Sequence, residues 1–229
     1  MNIEAFLSLL QLTDGLFPGG AYAHSFGLES YVQAGAVRDA AGVEAFLRAL
    51  MEGSSGPTDA VIALCAWRAG RSDDLETCLQ VDRTFDAMKT AAELRRASRQ
   101  MGRQVLHIAS RENAHRLLAS LFRAVESDAT PGHHPVAFGA VGGVLGWHPE
   151  ETAAAYLYST SAALVAAALR LVPLGQSAGQ HLLWSVRPLI ARLAREAEDK
   201  GLEDIWSFSP GLEIAAMRHA TLDARLFRS

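Results

Sequence analysis

Apolar residues recur at intervals of three and four along almost the whole chain, and no segment alternates as a strand would. Ile3, Phe6, Leu7 and Leu10 give the first twelve residues a helical stripe. Val43, Phe46, Leu47, Leu50 and Met51 form one face of a helix that Asp39 is placed to cap and Gly53 to close. A separate helix is expected after Pro57, carrying Val61, Ile62, Leu64 and Cys65. Ser72, Asp73 and Asp74 signal the start of another, whose face is Leu75, Cys78 and Leu79. Leu94, Met101, Val105 and Ile108 predict a longer helix over about 90–110, and Leu117, Leu118, Leu121, Phe122 and Val125 continue the pattern.

Residues 127–134 read as a loop ended by Pro135. From Val136 to Trp147 the chain is apolar all round and carries Gly139, Gly142, Gly143 and Gly146. Each glycine costs a helix interior up to about 1 kcal/mol relative to alanine. Such a run makes sense where another backbone comes close. Pro149, Glu150 and Glu151 then open a helix well, with proline in the first turn and acids at the positive end of the dipole. A last long helix is expected over 176–197 with a kink near Pro188, followed by a connector over 200–210. No linker divides the chain and no repeat is visible. The pattern predicts one all-α domain, residues 1–229, built from eight to ten helices, with 210–229 as a C-terminal tail.

Composition narrows the function. The chain has 229 residues, with 21 Lys plus Arg against 25 Asp plus Glu and a formal charge of −4. That balance argues against a general nucleic-acid binder, while leaving room for a local basic patch. Cys65 and Cys78 lack metal-site or redox spacing and read as buried reduced thiols, as in a cytoplasmic protein. The start of the chain carries Glu4 and has no basic segment or small-residue cleavage site of a signal peptide. The Ala-rich stretch 153–172 contains Ser159, Thr160 and Ser161 and ends at Arg170 and Pro173, so a central buried helix is expected rather than a membrane span.

No nucleophile elbow and no Walker-type phosphate loop is present, and no catalytic residue is assigned. Among eight histidines, His133 and His134 with His148 invite a nickel reading. Adjacent loop side chains chelate poorly, however, and the bland reading is loop surface plus a helix start at His148. Glu93, Arg95, Arg96, Arg99 and Arg103 make a charged helix face, with Arg96 able to brace Glu29 or a partner's acid. The tail interleaves Arg218, His219, Arg225 and Arg228 with Met217, Leu222, Leu226 and Phe227. Two readings of it stand open: it packs back on its own domain, or it is kept for a partner, where Arg and aromatic anchors are favoured.

Four segments in order resemble the urease accessory protein UreF family. They are Leu10–Glu29, with its Phe17-Pro18-Gly19-Gly20 turn and Ser25-Phe26-Gly27-Leu28-Glu29; Glu93-Leu94-Arg95-Arg96-Ala97-Ser98; Arg170–Gln176 with Gly179 and Gln180; and the tail Met217–Ser229. Ala220 stands where the family usually has an acid, Asp223 where an aromatic is usual, and Phe17 where leucine is usual.

The resemblance implies an all-helical, non-enzymatic chaperone for nickel insertion into urease, without a cofactor or stable metal of its own. It implies a homodimer that binds UreD (also called UreH), recruits the GTPase UreG and docks on apo-urease. The implied contact residues are Pro18, Gly20, Tyr22, His24, Ser25 and Glu29 near the start, Arg96, Arg170 and Gln176 in the middle, and Met217, Arg218, His219, Arg225, Leu226, Phe227 and Arg228 at the end. The tail is expected to become helical on binding. The competing reading is a metallochaperone that holds nickel through His24, His133, His134 or His219.

Overall fold

In the computed structural model, which describes residues 2–20, 23–222 and 224–228, every regular element is helical. The α-helices are α1 Ile3–Thr13, α2 Leu28–Gln33, α3 Ala40–Leu50, α4 Val61–Arg71, α5 Leu75–Met88, α6 Ala92–Glu112, α7 Arg116–Glu126, α8 His134–Leu145, α9 Pro149–Leu171, α10 Gln176–Glu198 and α11 Pro210–His219. A π-helical segment, Met51–Ala60, joins α3 to α4 in one unbroken rod. Counted with that rod as one helix, the described residues hold ten, as the periodicity predicts.

The glycine run of α8 has the purpose its sequence implies. A Cβ on Gly139 would sit 1.9 Å from the Ala63 carbonyl oxygen, and one on Gly143 would sit 2.2 Å from that of Trp67. From the other side, Gly70 leaves a Cβ only 2.4 Å from the Ala140 carbonyl oxygen. So α4 and α8 touch backbone to backbone, and the helix propensity lost at the glycines is offset by close packing. Around this pair lie Phe138, Trp147, Phe85, Leu64 and Leu106, all fully buried. Long α9 crosses this core with Tyr156, Leu157, Leu164 and Ala168 turned inward. By length and composition alone it could cross a membrane, and its buried face shows the packed helix expected of it.

Local signals worked at most helix starts. Asp39 accepts from the Gly42 N–H at 2.9 Å and Asp74 from that of Thr77 at 3.0 Å. They failed at residues 53–57, where a break was expected. Pro57 has no N–H to give the Gly53 carbonyl, four residues back. That carbonyl instead accepts from the Phe208 N–H at 2.8 Å, while Thr58 Oγ1 donates to the Trp206 carbonyl. The connector after α10 thus clips onto the π-segment, and the rod continues. Helix α10 likewise runs through Pro188 without interruption.

Candidate functional site

The start and end of the chain meet at one corner of the molecule, and glycine geometry brings them there. Gly27 adopts φ +86°, open to glycine and costly for other residues. Its backbone lies against α11, with a Cβ at this position only 3.3 Å from the Ala216 nitrogen. The sharp turn aims the next two side chains inward: Leu28 into the core and Glu29 toward the tail. Ser25 Oγ accepts from the Glu29 N–H at 3.4 Å, and Ser30 donates to the Ala215 carbonyl at 2.9 Å.

Glu29, 2 % exposed, accepts from three donors of the tail. Its Oε1 takes the Leu226 N–H at 2.7 Å, and its Oε2 takes the Phe227 N–H at 3.1 Å and His219 Nε2 at 2.9 Å. Burial pushes the carboxyl pKa up, but these donors outweigh it and hold it below the ordinary value. The other ring nitrogen of His219 lies 2.8 Å from Glu93 Oε2, and Arg225 donates to Glu93 Oε1 at 3.1 Å. Arg228 N–H bonds the Ala23 carbonyl at 2.8 Å, and Gln33 donates to that of Ala224 at 2.9 Å. Phe227 is buried, with the Arg170 guanidinium 4.2 Å above its ring. His24 is buried in the same corner, its pKa pulled down to about 4 by burial and by the nearby Arg228 charge.

The tail therefore packs back on its own domain. The expectation that it awaits a partner for its helical order is corrected: α11 is formed and latched within a single chain. What remains outward is a second face, on which Ile214, Met217 and Leu226 are 48 %, 48 % and 54 % exposed and Arg218 and Arg228 are exposed as well. Among the sequence-selected residues, Ser25, His24, Glu29, His219, Arg225, Phe227 and Arg170 converge here. Arg96 does not brace Glu29; it is exposed on α6 and makes no ion pair among the described residues, because His219 and the tail amides fill that place. Gln176 opens α10 on the surface. Tyr22 and Asp223 lie outside the described residues.

The Pro-Gly turn is closed locally, Asp14 Oδ1 accepting from the Leu16 N–H at 2.6 Å and the Asp14 carbonyl from that of Phe17 at 3.0 Å. Pro18 is exposed, and Gly20 takes φ +83°. Gly15, Phe17 and Gly20 form one wall of a cavity of about 260 Å³, with Tyr156 of α9, Met101 of α6 and Asp59 of the π-segment among its other lining residues. At Asp59, Lys89 approaches to 3.2 Å and the Tyr156 hydroxyl donates at 3.4 Å.

The paired histidines are not loop surface. His133 is fully buried, its Nε2 2.8 Å from Asp86 and its Nδ1 3.0 Å from Ser98 Oγ, and burial pulls its pKa down. Asp82, also buried, collects Thr130 Oγ1 and the N–H groups of Gly132 and His133. Ser98 of the Glu-x-x-x-x-Ser stretch thus serves the fold. His133 and His219 each have both ring nitrogens engaged, which speaks against them as nickel ligands, and the described residues contain no grouping of three or more His, Cys, Asp or Glu suited to a metal. Asp82 was overlooked in the sequence although its signal was there: an acid between Val81 and Phe85 on an apolar face. Glu93 was noted only as part of a charged face, and nothing local marks it as an anchor for a residue 126 positions on.

Comparison with known proteins converges on one family. The sequence pattern described as UreF matches residues 37–187. A urease accessory protein UreF of Paenarthrobacter aurescens is 36 % identical over 229 residues, all of both chains. One from Corynebacterium efficiens is 33 % identical over 223 residues, 97 % of this chain and 96 % of the relative. Another from an Arthrobacter species is 35 % identical over 227 residues, again 97 % and 96 %.

Proposed function

Because this chain belongs to the UreF family of urease accessory proteins, we propose that it acts in urease maturation by binding, as a non-catalytic chaperone for nickel insertion into apo-urease. On this reading it works in the cytoplasm as a homodimer, with UreD/UreH and the GTPase UreG as partners, and it modulates the GTPase by holding it in place. Nickel is cargo and passes to urease.

The observation that carries the reading is the two-sided tail. Its inner side is tied to Glu29 and Glu93, which hold the His219 and Arg225 side chains and the backbone at Leu226 and Phe227. Its outer side offers Ile214, Met217, Leu226 and Arg218. A surface already ordered loses little entropy on docking, and apolar side chains beside arginine are the composition of interface anchors. Apolar exposure on α1 supports self-association: Ile3 is 68 % and Leu7 57 % exposed. The exposed Pro18 turn gives a second rigid contact point near the cavity.

Co-expression with UreD/UreH, UreG and apo-urease tests the proposal. The Met217→Asp/Leu226→Asp double variant is expected to keep its helical circular dichroism and to lose co-purifying UreD/UreH by at least about tenfold, as for removal of interface anchors. Undiminished co-purification would rule the tail face out.

A further inference from the structure

Arginine is distributed unevenly over this molecule. Residues 92–126, spanning α6 and α7, hold seven arginines and three glutamates, in a chain whose net charge is −4. Glu93 is one of the three and is buried in the tail latch. On α6 the positions Arg96, Gln100, Arg103, His107 and Arg111 repeat at four, three, four and four, which places them within one quarter of the helix circumference. The opposite side carries Ala97, Met101, Val105 and Ala109 into the core. From Arg96 to Arg111 the row is roughly 22 Å long at 1.5 Å per residue. On α7, Arg116 and Arg123 share the outward side. Arg103 reaches Glu126 at 3.3 Å and His107 packs edge-on to Phe122, so the two rows lie side by side.

Part of this charge is neutralised within the chain: Arg99 pairs with Asp86, Arg103 with Glu126 and Arg116 with Asp73. Arg96, Arg111 and Arg123 are exposed and make no ion pair among the described residues. Among the described residues, every large hydrophobic side chain that stands exposed lies elsewhere, none between residues 23 and 157. A face that is charged and free of exposed large apolar anchors contributes through steering and orientation rather than through burial.

We propose that the α6–α7 arginine face is a docking surface for an acidic protein face, the partner being a component of the maturation assembly; the inference rests on the binding role stated above. Guanidinium groups, with no lysine among them, suit two-pronged pairing with carboxylates. The row begins one helical turn from Glu93, where the tail is latched, and it contributes by charge where the outward tail residues contribute by apolar contact.

The test uses the full-length chain and its Arg96→Gln/Arg103→Gln/Arg111→Gln/Arg123→Gln variant, with poly-L-glutamate as the probe and the co-expressed accessory proteins as a second arm. The wild type is expected to bind poly-L-glutamate at 50 mM salt and to weaken about tenfold by 300 mM, as screened charge contacts do. The variant should bind at least about tenfold less at 50 mM and respond little to salt, with circular dichroism and tail protection unchanged. In the second arm it should assemble more slowly, with the deficit closing at high salt. Equal binding by both proteins overturns the proposal, as does a wild type that duplex DNA captures in preference to poly-L-glutamate. If poly-L-glutamate binding behaves as expected and no accessory protein co-purifies with the wild type, the maturation role fails and the acidic partner lies elsewhere.

Discussion

Glu29 ties two ends of the chain together through three hydrogen bonds, and its chemistry sets how they part. An amide there keeps one acceptor oxygen and turns a donor toward backbone N–H groups. Glu29→Gln is therefore expected to cost about 1–3 kcal/mol. It should also speed amide exchange at Leu226 and Phe227, which is the measurement that checks it. Acid acts on the same contact. The folded-state pKa of Glu29 lies below its ordinary 4.5, so its stabilisation is complete above that pH and fades as pH falls through the lower folded value. His24 acts at higher pH: unfolded it takes a proton near 6.5, folded only at about 4. Between those values acidification destabilises the corner, by about 3 kcal/mol at 1.36 kcal/mol per unit. Urea unfolding at pH 7 and pH 4.5 should show this slope, and His24→Asn should flatten it. The Phe17–Gly20 turn was readable from its proline and glycines, whereas Asp82 was overlooked although it is an acid on an apolar face. The pairing of Glu29 with His219 was not legible, because 190 residues separate them and neither sequence context names the other.

At the scale of elements, close packing and capping were legible, and continuity was not. The α8 glycine run announced a backbone contact, and α4 supplies it through Gly70. Gly143→Leu must push the Trp67 carbonyl aside and is expected to destabilise by more than about 3 kcal/mol, read from denaturant midpoints at unchanged slope. Gly146, with open space around it but φ +75°, should cost less when changed to alanine, about 1 kcal/mol. The Gly53–Pro57 stretch misled because proline rules describe an isolated helix. Here the orphan Gly53 carbonyl finds Phe208, a partner 155 positions away, and the rod survives. Phe208→Pro removes that N–H, and it is expected to release the connector before it unfolds the core, visible as early proteolysis within 199–209.

At the scale of the whole molecule, periodicity sufficed for fold class and helix number because each helix buries one face. The working surfaces are harder to read, since a residue turned outward leaves no period of its own. Met217 and Leu226 looked much like Phe227 in sequence; only the fold separates the two that face solvent from the one held under Arg170. The central claim is that this tail, fastened inside and bare outside, is where the protein grips its UreD/UreH partner. Amide hydrogen exchange on the full-length chain, alone and co-purified with UreD/UreH, tests it directly. The claim predicts that α11 and the Leu226 and Phe227 amides are already slow to exchange in the free protein and become slower still in the complex. A tail that exchanges at the same rate in both states, while protection appears elsewhere, would contradict it.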